Sequence, residues 1–303
     1  MKNIINFYYG MNVMNIYEYK NNIYFLYNDI KYCFVKYDRN KRELKGLINI
    51  CNKLKERNIL TNEFVCNKFN SFITPYNNED YILIKNNVKD YKINLNNILH
   101  LQNNTINICS DINLIRSNYV ELWKNKVDFY EKQLSSISNK YQLIKKTLDY
   151  YIGLGENAIV YLTNNYINNN YVVLSHRRIT EERDSFDFYN PLNYIFSNRS
   201  RDIADYIKTS FFYDDISFDT ILTFLHYTNL NREDYILLIA RLLYPTYYFD
   251  LIDRVLFQDE EEEVLKKIID KNEEYINLLK SIFYYINYNL KMNIPILDWI
   301  IKI

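Results

Sequence analysis

Tyr171-Val172-Val173-Leu174-Ser175-His176-Arg177-Arg178 and, downstream, Arg199-Ser200-Arg201-Asp202-Ile203-Ala204 decide how this chain is read. The first stretch is a short β-prone apolar run ending in a polar cluster, the pattern of a buried strand that delivers a histidine at its end. The second opens a helix. Asp202 lies where a carboxylate satisfies free N–H groups and complements the positive end of the helix dipole. Both sides of this pair of segments read as helical. Val120 to Leu134 places Trp123, Val127, Tyr130 and Leu134 on one face, and Tyr141 to Leu162 continues the apolar period, with a break expected at Gly153 and Gly155. Residues 164–170 read as a polar turn. Residues 200–257 alternate apolar helix faces with short polar connections, and Pro245 predicts a break or kink. The acidic run Glu260 to Glu263 suits the start of a last helix, about Val264 to Leu290, and Leu297-Asp298-Trp299-Ile300 closes the chain.

The first hundred residues differ. Ile16, Tyr17, Tyr19, Ile23, Phe25 and Tyr27 fall in short β-prone runs around a polar turn at Lys20-Asn21-Asn22. Lys31 to Tyr37 is another such run. From Arg42 to Arg57 the period changes: Leu44, Leu47, Ile48, Ile50, Cys51 and Leu54 recur at helical spacing. Phe64-Val65, Phe72-Ile73 and Tyr81-Ile82-Leu83-Ile84 then predict strands. The order is strands, helix, strands, and afterwards helices, which is α+β rather than alternating βαβ. The expected division is a β-rich lobe over residues 1–90 and a larger helical lobe over 91–303, with an ambiguous Asn-rich stretch at 90–110.

Composition narrows the function classes. Lys plus Arg and Asp plus Glu both number 37, so no net field draws the chain to nucleic acid or acidic lipid. There are 32 Tyr but only 4 Gly and 4 Pro. Abundant Ile, Lys, Asn and Tyr, whose codons are AT-rich, read as a low-GC genome. Cys33, Cys51, Cys66 and Cys109 form no C-x-x-C pair and have no histidine at metal-finger spacing, so no metal site is expected from them. Cys33 and Cys51 read as buried apolar groups. No signal peptide and no integral membrane segment are expected, which makes synthesis in a reducing cytoplasm the default.

The layout resembles that of kinases. Lys36, in Phe34-Val35-Lys36-Tyr37, precedes the helix as a strand lysine that would grip nucleotide phosphates, and Glu43 at the start of the helix is its candidate partner. These two residues are the nucleotide-binding candidates. A phosphate-covering loop should be glycine-rich, yet the turn between the first strands is Lys20-Asn21-Asn22. In the catalytic segment His176 is followed by Arg177 and Arg178. An arginine at the base position accepts no proton, because its pKa stays above about 12. Asn193 stands where a metal-holding Asp is expected, and an amide is a poor ligand for a hard dication. Asp184 and Asp187 lie nearby. Arg177 and Arg178 are candidates for binding an anion or for locking an acidic neighbour such as Asp202.

Leu174 to Arg178 followed by Ser200 to Ala204 resembles the catalytic and post-catalytic segments of the aminoglycoside-phosphotransferase-like superfamily. Trp123 to Lys140, Leu148 to Leu162, Ala240 to Asp250 and Ile294 to Trp299 are similar to the YutH group of spore-coat-associated proteins within it. The resemblance implies a two-lobed protein-kinase-like fold. It also implies a role in endospore coat assembly in a low-GC Gram-positive bacterium, with other coat proteins as partners. The chain would then be made in the mother-cell cytoplasm and deposited in the coat. With His176 kept and Arg178 and Asn193 in degenerate positions, a non-enzymatic structural protein with no cofactor is expected. A nucleotide- or anion-binding pseudokinase scaffold and an active small-molecule phosphotransferase are the alternatives.

Overall fold

The computed structural model describes all residues except 107, 110, 135–136, 138–139, 167–170, 215 and 299–303. Part of the expected polar turn at 164–170, and Trp299 and Ile300 of the closing stretch, therefore lie outside the described residues, as does the side chain of Leu134.

Helix α1 (Lys2–Tyr9) leads into β1 (Ile16–Tyr19), β2 (Asn22–Tyr27) and β3 (Ile30–Lys36). Next come α2 (Lys41–Glu56), β4 (Glu63–Val65), β5 (Thr74–Tyr76), β6 (Glu79–Lys85) and α3 (Leu95–Asn104). The strands form one antiparallel sheet in the order β1-β2-β3-β6-β4, with β5 also paired to β6. A glycine-poor chain turns its hairpins with other residues. Lys20-Asn21, Asn28-Asp29 and Asn77-Asn78 all take left-handed φ values between 49° and 60°. Asn and Asp tolerate that region because their short side chains hydrogen-bond locally. The core of this sheet gathers Ile5, Val13, Phe25, Phe34 and Leu83. Asn40 caps α2, whose Leu44, Leu47, Ile50 and Leu54 are buried. Gly46 on the same helix leaves room for the Asp111 carboxylate and Leu114, which a Cβ would meet.

Helix α4 (Tyr119–Leu134) and α5 (Gln142–Asn165) follow, then β7 (Val173–His176), the single turn α6 (Ser185–Phe188) and β8 (Tyr194–Ser197). β7 and β8 pair as a separate two-stranded sheet. The remainder is helical: α7 (Ser200–Asp214), α8 (Phe218–Tyr227), α9 (Arg232–Leu243), α10 (Thr246–Phe257), α11 (Lys266–Asp270) and α12 (Asn272–Tyr284). The chain forms two compact units. One comprises Met1–Ile115 with Val172–Phe196, the other Arg116–Tyr171 with Ser197–Ile303.

Three expectations change in detail. The strand near Phe72-Ile73 begins at Thr74. α5 runs unbroken through Gly153 and Gly155, because Gly155 serves packing: a Cβ there would lie 3.0 Å from Val127 Cγ2 on α4. The last helix is divided into α11, α12 and a π-turn at Tyr285–Asn289. The break at Pro245 is present, between α9 and α10. Arg232–Phe257 is long and apolar enough to cross a membrane by length and composition, yet 83% of its most apolar window is buried within the protein.

Tyrosine fills the interior of the second unit. Tyr130 stacks on Phe249 and donates its hydroxyl to Asp253 Oδ1 at 2.6 Å, and Tyr151 stacks on Tyr248 at 3.6 Å. Trp123 stacks on Tyr244 at 4.4 Å. Tyr130 and Tyr244 supply apolar ring area while their hydroxyls donate to the Asp253 carboxylate and the Trp123 carbonyl.

Candidate functional site

The site of interest lies within the first unit. Its upper edge is the β1–β2 hairpin. Because Lys20 and Asn21 occupy the turn, side chains stand where a glycine loop would present bare N–H groups. Lys20 Nζ is 2.5 Å from Glu182 Oε1, and Asn21 and Asn22 line a cleft beneath the hairpin.

Lys36 sits at the end of β3, opposite Tyr81 of β6. Its partner is Glu79, with Nζ 2.5 Å from Oε1, and Tyr81 donates its hydroxyl to the other carboxylate oxygen at 3.1 Å. The hydrogen bond between them raises the lysine pKa and lowers that of the glutamate. Glu43 is engaged elsewhere. Arg39 Nε donates to Glu43 Oε2 at 2.6 Å, while Arg39 Nη1 donates to the carbonyls of Leu192 and Tyr194 at 2.8 and 2.7 Å. The start of α2 is thus tied to the segment entering β8 by a buried arginine, and the two nucleotide-binding candidates hold different partners.

The lower wall is the segment between β7 and β8. His176 is 1% exposed, stacks on Phe188 with ring centres 4.3 Å apart, and lies edge-on to Tyr194. Its Nε2 is 2.8 Å from the Phe188 carbonyl, so Nε2 carries the proton and donates. The Arg177 amide donates to the Asn193 carbonyl at 2.7 Å, and the Asn193 side-chain amide donates to the Asp187 carbonyl at 2.8 Å. Arg177 Nη1 contacts both oxygens of Asp38, at 3.1 and 3.2 Å. Arg178 is exposed and borders a small hollow beside His176, Asp184 and Asp187. The two arginines therefore point to different neighbours. Asp202, the other candidate partner, is buried in the first turn of α7 in the second unit.

Asp187 is the anomalous acid. Burial and the neighbouring Asp184 push its carboxyl up to about 7, against the pull of Lys20. Asp184 accepts the Asp187 amide at 2.8 Å as the cap of α6. Among the described residues, no group of three or more His, Cys, Asp or Glu side chains is placed to hold a metal ion.

Lys36, Asp38, Glu79, Arg177, Asp187 and Asn193 border one cleft of about 640 Å³. Four carboxylates line it, from Glu18, Asp38, Glu79 and Asp187, against two cations, Lys36 and Arg177. Each cation is paired to a carboxylate of the chain itself. Lys36, Arg177 and Asn193 were legible in the sequence; Asp38 and Glu79 were not, because their partners lie far away in sequence, and Arg39 joins the nearby Glu43 to the distant carbonyls of Leu192 and Tyr194.

A strand ending in a buried histidine, a loop, and a second strand opening at Asn193 make up the catalytic-segment layout expected of kinases. The family described as "Spore coat putative kinase YutH" matches residues 2–282. The chain belongs to this YutH family. Among its relatives is the endospore coat-associated protein YutH of Bacillus subtilis (strain 168), 25% identical over 207 residues. That match spans 60% of this chain and 61% of the relative. Among solved structures, an aminoglycoside phosphotransferase of Alicyclobacillus acidocaldarius superposes with a TM-score of 0.67 at 10% identity, covering 92% of this chain and 94% of that one. A spectinomycin phosphotransferase in complex with ADP and spectinomycin gives 0.56 at 12% identity, over 94% and 97%. The chain therefore has the two-lobed, α+β kinase-like fold, with a small antiparallel sheet and a mostly helical remainder.

Proposed function

We propose that this protein is a structural component of the endospore coat whose kinase-like fold no longer transfers phosphate. The observation that carries the reading is the state of the two positions that phosphoryl transfer needs most. The base position holds Arg178, which accepts no proton. The metal position holds Asn193, whose amide nitrogen is occupied by the Asp187 carbonyl. Phosphoryl transfer relies on positioning and on charge stabilisation by Mg²⁺ and cationic side chains. Here Lys36 and Arg177 face carboxylates in a cleft whose lining carries more acid than base. A polyanionic nucleotide would have to break those pairs to be gripped. The name of the Bacillus subtilis relative supports association with the endospore coat as the place of action; synthesis in the mother-cell cytoplasm and deposition beside other coat proteins are part of the same proposal.

Thermal melting of the purified protein with ATP, with and without Mg²⁺, tests this, since a ligand that binds only the folded state raises the midpoint. No shift at millimolar ligand is the expected result. A Mg²⁺-dependent shift accompanied by ATP turnover would overturn the reading. The open volume of the cleft favours one second reading, a scaffold that binds a nucleotide or other anion without chemistry. Its signature is saturable binding without turnover.

A further inference from the structure

The charge of this neutral chain is unevenly placed. Helix α2 and its cap carry Lys41, Arg42, Lys45, Lys53, Lys55 and Arg57 against Glu43 and Glu56. Glu43 is buried against Arg39, so the exposed face of the helix is strongly basic. Lys45, Ile48, Asn52 and Lys55 recur at three- and four-residue spacing and share one face. That face borders a groove of about 200 Å³ between α2 and β4, floored by Ile48, Cys51, Phe64 and Phe72, with Lys55 and Glu63 paired at its rim. A cavity of about 150 Å³ is enough for a benzene ring, so the groove has room for one aromatic side chain.

The second unit carries the opposite surface. Phe257, at the end of α10, is 63% exposed and is followed by Gln258-Asp259-Glu260-Glu261-Glu262-Glu263. Two alternate acids hold this segment in place. Glu260 pairs with Arg254 at 2.9 Å, and Glu262 accepts the amides of Gln142 and Leu143 at 3.1 and 3.0 Å, capping α5. The other three, Asp259, Glu261 and Glu263, are exposed. An aromatic side chain and three carboxylates are thereby presented on a segment already ordered, which lowers the entropic cost of docking it.

We propose that the groove between α2 and β4 of one copy takes Phe257 and the acidic segment of a second copy. The ring enters the apolar floor, and Asp259, Glu261 and Glu263 face Arg42 and Lys45. The two surfaces are different, so the contact is head-to-tail: a bound pair still presents one groove and one segment, and association continues into rings or open chains. This inference does not depend on whether the cleft binds nucleotide.

Sedimentation velocity of the full chain over a broad concentration range, at low and high salt, tests it. Concentration-dependent assembly that weakens with salt is expected. Arg42→Glu with Lys45→Glu, and separately Glu261→Lys with Glu263→Lys, should each weaken assembly at least about tenfold. An equimolar mixture of the two charge-reversed proteins should assemble again, because each groove then meets a segment of opposite charge. Phe257→Ser, which keeps every charge, should also weaken assembly about tenfold. A wild-type protein that stays monomeric overturns the proposal and leaves the groove to a different partner. Assembly that survives both reversals, or a mixture that fails to recover, overturns it as well.

Discussion

Two walls of the same cleft are built on opposite principles. The segment from His176 to Asn193 is held from within: its histidine is buried and stacked, and its asparagine is bonded through both backbone and side chain. The strand wall carrying Lys36 and Glu79 is exposed, and its charged side chains answer one another. The side chains of the candidate site thus stabilise the fold on one wall and neutralise charge on the other. Substitutions should therefore cost much on the first wall and little on the second.

His176→Ala gives the largest effect. It removes a buried ring from between Phe188 and Tyr194 and strands the Phe188 carbonyl. A loss of about 2–4 kcal/mol in denaturant unfolding is expected, the sum of a cavity and an unsatisfied acceptor. A loss well under about 1 kcal/mol would mean that the ring is not structural.

Asn193→Asp comes next. A carboxylate there would face the Asp187 carbonyl without a hydrogen to offer it. The expected cost is about 1–3 kcal/mol without metal. Adding Mg²⁺ should restore none of it. A magnesium-dependent recovery of the melting midpoint would reveal a metal seat one residue away from function and would erase the contrast between the walls.

Asp187 links the walls through pH. Its folded pKa is raised, so the proton is bound more tightly in the folded protein than in the unfolded chain. That contribution to stability is fully present below the ordinary carboxylate pKa near 4 and is lost as pH rises through about 7. Asp187→Asn should therefore melt roughly 2–4 °C above the wild type at alkaline pH, with the gap closing in acid. A gap unchanged by pH would show that the carboxyl titrates normally.

Much of this contrast was legible in the sequence, and the remainder was hidden for definite reasons. The period-two runs at β1 to β3 and the helical period of α2 are local, so they could be read directly. Asparagine carries two further features. It turns the hairpins that glycine would otherwise make, and of these only the turn at Lys20-Asn21-Asn22 was read from the sequence. It also caps α3, where Asn94 and Asn97 form a reciprocal capping box and the buried Leu95, Ile98 and Leu101 supply the packing. In an Asn-rich stretch that helix had no propensity signal strong enough to stand out. In the site, the strand ending at His176 was readable, because strand and loop are contiguous. The partners were not: Asp38 lies 139 residues from Arg177, and Leu192 lies 153 residues from Arg39. Such pairs follow from tertiary folding, and nothing in local spacing announces them.

The smallest effect is the sharpest test of the exposed wall. Lys36 would be indispensable in a working phosphotransferase, where its loss would abolish nucleotide grip. Here its ammonium lies in solvent beside Glu79, and an exposed pair of this kind contributes little because water and salt screen it. Lys36→Ala should leave the melting midpoint within about a degree of the wild type. It should also leave any response to ATP unchanged, since the lysine already has a partner. Lys36→Ala that removed an ATP-induced shift would show that nucleotide displaces Glu79 to reach the lysine. The strand wall would then be a nucleotide clamp held closed by its own carboxylate, and the two walls would differ in whether they can be reopened rather than in whether they retain function.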